Sequence, residues 1–96
     1  MKLIRNKLAL TPYENRSVII VNIESQKSLA FDKIVEEAHE LFNAKTDQEI
    51  ILELADLQDA IANFKKLHNI SEEVLTQASK DKLENRGSFD GGFALL

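Results

Sequence analysis

Cysteine is absent from the 96 residues, which excludes disulfides and thiolate metal sites together. Proline occurs once, at Pro12, inside a turn-like TPYEN. A basic excess is also missing: 12 Lys and Arg face 16 Asp and Glu, for a net charge of -4. That balance counts against a nucleic-acid polymer as partner, for which a basic stripe is expected. No segment is long and apolar enough to span a bilayer. The opening MKLIRNKLAL carries Lys2, Arg5 and Lys7, but no sustained apolar stretch follows, so a signal peptide is not expected. No internal repeat or low-complexity tract is visible. The expectation is a single cytoplasmic domain over residues 1–96, with the 44% hydrophobic and 29% charged composition of an ordinary globular protein.

What is present is helical periodicity. Residues 1–26 read as irregular, with SVIIVNI (Ser17 to Ile23) a β-branched run suited to a short strand. A first long helix is expected from about Ser28 to Asn43, with Phe31, Ile34, Val35, Ala38, Leu41 and Phe42 at helical spacing. A second begins at the capping box Thr46-Asp47-Gln48-Glu49 and runs to about His68, with Asn69 suited to its C-terminal turn. A third starts at Ser71, carries Glu72 and Glu73 in its first turn and stops at Gly87. The tail FDGGFALL has two adjacent glycines and an apolar end. The fold class is all-α with a short extended N-terminal segment.

On the second helix Ile50, Leu54, Leu57, Ile61 and Phe64 form one stripe at about 100° per residue. Ile51, Ala55 and Ala62 form another, separated from the first mainly by Gln58. So wide an apolar arc predicts burial on more than one side. Either a second copy of the chain covers the second stripe, as a homodimer or homotetramer, or the N-terminal segment does; the oligomer is the favoured reading.

Two acids interrupt this pattern in ELADLQDA. Glu53 lies between Leu57 and Ala60 within the apolar arc, and Asp56, Asp59 and Asn63 continue the same ridge. The first helix repeats the device in IVEEAHELF, where Glu36, Glu37 and Glu40 are spaced three and four apart. A short connection such as Ala44-Lys45 favours antiparallel packing, which turns the ridges toward each other. Carboxylates about 5 Å apart repel by roughly 3 kcal/mol at an effective dielectric near 20. A cation removes that penalty, and hard oxygen ligands suit Mg²⁺, with Mn²⁺ as the alternative ion. For Glu36, Glu37 and Glu40 alone a solvated acidic face explains the sequence better; for Glu53 it does not. His39 and His68 share no metal-ligand spacing and read as structural or solvent-facing, and no Gly-rich phosphate loop is evident.

The pattern E-E-x-x-E, twelve residues, then E-x-x-D (Glu36, Glu37, Glu40; Glu53, Asp56) resembles the signature of the MazG-like, all-α nucleoside triphosphate pyrophosphohydrolases. KLIRNKL resembles the KLVRDKIP opening of their phosphoribosyl-ATP pyrophosphohydrolase-like subgroup, and KLENRGSF resembles its basic ending. The chain departs from that subgroup at Asn6, Ala9, Leu83 and Ser88. The resemblance implies a helical bundle completed by oligomerisation and Mg²⁺-dependent cleavage of a nucleotide to monophosphate and pyrophosphate, in a house-cleaning role or on a phosphoribosyl-ATP-like substrate. By motif position, Glu37, Glu40, Glu53 and Asp56 become metal ligands, and Glu36 either the catalytic residue that orients water or a further ligand. Lys82 and Arg86, four apart on one face, with Arg5 and Lys7, become candidates for phosphate binding. Asn63 becomes a candidate contact to base or sugar. The reading from another class is a non-catalytic helical interaction module on the same scaffold.

Overall fold

The computed structural model describes residues 1–10 and 17–96, so the turn expected at TPYEN lies outside the described residues. The described residues hold four helices and no strand: α1 (Asn6–Ala9), α2 (Ile23–Asn43), α3 (Asp47–Leu67) and α4 (Glu72–Arg86). The all-α expectation therefore holds, and no described helix is long and apolar enough to cross a membrane.

Two expectations in the N-terminal quarter fail. Residues 17–22 form no strand, and no second strand is available among the described residues to pair their backbone groups. Helix α2 starts five residues before the expected Ser28, because Asn22 caps it: its side chain accepts from the Ser25 backbone N at 2.9 Å. The single turn α1 was not anticipated.

The other boundaries follow their sequence signals. Thr46 Oγ1 accepts from Glu49 N at 3.1 Å, while Glu49 Oε2 accepts from Lys45 N at 2.9 Å, so the reciprocal bond lands one residue ahead of the cap. Helix α3 closes with Ile70 N donating to Lys65 O and Asn69 N to Lys66 O, and Asn69 takes a left-handed φ of 54°. Ser71 caps α4, and Gly87 ends it at a φ of 76°. His68 is exposed and lies against Phe64 with ring centroids 4.2 Å apart, within the structural or solvent-facing role expected of it.

Helices α2 and α3 form a hairpin through residues 44–46, and they are the one packed helix pair among the described residues. Small residues make the crossing: Ala30 is fully buried and Ala60 is 8% exposed. No large side chain among the described residues is fully buried. Facing α3 around Ala30 are Lys33, Ile34, Glu37 and Leu41; facing α2 around Ala60 are Glu53, Asp56, Leu57 and Phe64. A rotation of about 100° per residue then divides the hairpin into two faces. Phe31, Val35 and Phe42 of α2, with Ile50, Leu54 and Ile61 of α3, fall on one side and remain exposed. Glu36 and Glu40 of α2, with Asp56 and Asp59 of α3, fall on the other.

The first apolar stripe of α3 thus points partly outward, and the acidic ridge lies at the seam. The total accessible surface is 8579 Å², against about 5,600 Å² for a compact fold of this mass. The radius of gyration is 16.8 Å, where roughly 12.5 Å is usual for this length.

Candidate metal centre

Ala30 and Ala60, the buried apolar residues of the two packed helices, frame the site. Glu37, two turns beyond Ala30 on α2, meets Glu53 and Asp56, which lie two turns and one turn before Ala60 on α3. One carboxylate oxygen from each of these three residues lies within 4.8 Å of the others. Glu37 is 8% exposed, and Glu53 and Asp56 are half-buried. Opposed ligands of an octahedral Mg²⁺ sit about 4.2 Å apart, so small side-chain rotations close the set around such an ion. The donors are all hard oxygens, with no nitrogen or sulfur, which suits Mg²⁺ or Mn²⁺. The donor set fits a dication.

Electrostatics point the same way. Burial pushes the Glu53 carboxyl above its ordinary value, and Asp56, Glu37, Glu40 and Glu49 add to the rise by repulsion. Glu36, Glu37, Asp56 and Asp59 have basic partners. Lys33 lies 3.4 Å from Glu37 and 3.2 Å from Glu36, and Lys2 reaches Glu36 at 3.5 Å. Arg5 Nη2 donates to Asp56 Oδ1 at 2.6 Å and approaches Asp59 Oδ2 at 2.9 Å. Hydrogen bonds to Asp56 and then Asp59 hold the Arg5 guanidinium above its ordinary value.

The expected site residues divide accordingly. Glu37, Glu53 and Asp56 come together; Glu40, exposed on the next turn of α2, stands outside that triad while still acting on Glu53 through its charge. Glu36 borders the site, half-buried and held by Lys2 and Lys33. Arg5 sits on the acidic ridge itself. Asn63 lines a groove of about 560 Å³ together with Arg5, Lys33, Glu37, Asp56 and Asp59, a volume in the usual range for small-ligand sites. Lys7 is exposed on α1. Lys82 and Arg86 are exposed on α4, which packs against no other described helix, so one copy of the chain does not bring them to the triad.

Lys33 was missed by sequence reasoning. Its signal is local, since it stands three and four residues before Glu36 and Glu37 on one helix. The Arg5–Asp56 pair, 51 residues apart, carries no periodic signal at all. Comparison with family models, with curated proteins and with solved structures gives no match for this chain.

Proposed function

We propose that the chain is a Mg²⁺- or Mn²⁺-dependent nucleotide pyrophosphohydrolase of the MazG-like kind, acting in the cytoplasm on a nucleoside triphosphate or a phosphoribosyl-ATP-like substrate. One observation carries this reading: Glu37, Glu53 and Asp56 converge from two helices at a partly sheltered seam with dication-competent spacing. Bound there, the ion supplies positive charge to a phosphoryl group in flight and acidifies water. The protein's own share is positioning and preorganised charge. Glu36 orients the attacking water and receives its proton. That water attacks a phosphorus, the anhydride bond breaks, and nucleoside monophosphate and pyrophosphate leave. Arg5 and Lys7 hold phosphate oxygens, and Asn63 contacts base or sugar from the groove wall.

The same proposal includes a homo-oligomer, a dimer or a tetramer. Its support is the exposed apolar side of the α2–α3 hairpin and the excess accessible surface. Lys82 and Arg86 then serve a site completed across the assembly, since in one copy α4 is tied to the hairpin by the Lys65–Glu72 ion pair at its start but packs along neither hairpin helix.

Incubation with Mg²⁺ and a panel of nucleoside triphosphates, followed by product analysis, tests the reaction. Pyrophosphate and monophosphate are expected from at least one substrate, with loss of turnover in Asp56→Asn. No release across the panel, or full activity in Asp56→Asn, refutes it. A non-catalytic interaction module draws support from the fully exposed Phe89 and Phe93 and from acids already paired with Arg5 and Lys33. Partner capture that survives Glu53→Gln, with no Mg²⁺ binding by calorimetry, selects that alternative.

A further inference from the structure

We propose that Arg5 is a built-in stand-in cation on the acid face, exchanged for a dication when the site loads, so that metal entry loosens the N-terminal segment from α3. The inference rests on the metal reading above and adds to it a device carried by this chain's own residues.

The geometry is particular. A single nitrogen, Arg5 Nη2, bridges Asp56 and Asp59, at 2.6 and 2.9 Å. Asp56 is one of the three carboxylates able to close on an ion; Asp59, one turn further along the ridge, is not. Arg5 therefore takes negative charge from the triad while keeping a second anchor beside it. An ion that recruits Asp56 must take that carboxylate from the guanidinium. Asp59 then retains Arg5 at the edge of the groove, with its charge turned toward whatever anion the groove holds.

What holds the segment is weak enough to yield. The Arg5 side chain is 58% exposed and its two acidic partners are 41% and 62% exposed. Exposed ion pairs of this sort are readily outcompeted. The second ionic tether, Lys2 to Glu36, is long at 3.5 Å. Helix α1 packs against no other described helix, and Leu3 and Ile4 before it are half-buried rather than buried. Lys33 differs: it rises from α2 beside its own partners and cannot leave the site by segment motion.

The test is Mn²⁺ binding to the full chain, read by loss of the free-ion electron paramagnetic resonance signal, with no substrate present. Wild type, Arg5→Gln and Arg5→Lys are compared after circular dichroism confirms equal helix content. Removing the competitor is expected to tighten Mn²⁺ binding about threefold to tenfold in Arg5→Gln, with Arg5→Lys close to wild type. Hydrogen exchange at residues 3–8 is expected to speed up on Mn²⁺ addition in wild type and to be already fast in Arg5→Gln. Mn²⁺ binding that is equal or weaker in Arg5→Gln overturns the exchange mechanism alone and leaves the metal site standing. So does unchanged exchange on loading. Failure of all three proteins to bind Mn²⁺ overturns the metal reading and this proposal with it.

Discussion

Substituting Phe31 with Ala tests whether a second copy covers the hairpin's apolar side. Phe31, Val35 and Phe42 lie on one stripe of α2 at 57%, 54% and 83% exposure. Full burial of such a side chain contributes about 1.5–3 kcal/mol. With somewhat more than half of Phe31 still accessible, about 1–1.5 kcal/mol is left for an interface to gain. A twofold dimer contains the residue twice. Phe31→Ala is therefore expected to cost the dimer about 2–3 kcal/mol, weakening association roughly thirtyfold to 150-fold. The area is sufficient, because the accessible surface exceeds that of a compact fold by about 3,000 Å², more than a standard interface buries from one partner. Sedimentation velocity over a dilution series measures the shift, and the wild-type melting temperature should rise with protein concentration. A wild-type chain that is monomeric at about 100 μM in the centrifuge and melts cooperatively at a concentration-independent temperature would refute the reasoning.

Glu53→Gln should stabilise the metal-free protein at pH 8. The folded carboxyl is held above its ordinary value of 4.5, chiefly by burial, so the native state binds the proton more readily than the unfolded state. Its contribution is most favourable below that ordinary value and is lost as pH rises through the folded value, so the gain from Gln should vanish near pH 4. In Mg²⁺ the order should reverse, which paired thermal melts will show. Thr46→Ala removes the α3 cap and should cost about 1 kcal/mol, lowering the midpoint by about 4 to 8 °C by circular dichroism. The double variant Lys82→Ala, Arg86→Ala should raise KM for a triphosphate at least about tenfold, each lost charged hydrogen bond being worth about 1.5–3 kcal/mol. Unchanged KM would place both side chains on ordinary surface.

The helices were legible wherever the signal is local. Thr46, Asn69, Ser71 and Gly87 mark ends through bonds made within a few residues, and each end falls where its chemistry directs. Ser17 to Ile23 misled for a related reason. β-branching favours a strand only where a second strand exists, and Asn22 instead starts a helix five residues early. The site was legible in part. Glu37, Glu53 and Asp56 share helix faces that spacing reveals, whereas their meeting depends on how closely the two helices approach, which Ala30 and Ala60 decide. Periodicity also marked Ile50, Leu54 and Ile61 as part of an apolar arc to be buried. The seam instead runs through the acids, about 80° around α3, and the apolar arc is left to one side. Arg5 on Asp56 is a contact between distant segments, and nothing in the spacing of either announces it.

The most direct measurement of the central claim is a crystal of the protein soaked with Mn²⁺ and a non-hydrolysable nucleoside triphosphate, with anomalous scattering used to place the ion. An anomalous peak is expected about 2.2 Å from oxygens of Glu37, Glu53 and Asp56, with phosphate oxygens on its open side. Glu37 still on Lys33 and Asp56 still on Arg5, with no peak between α2 and α3, would contradict that claim.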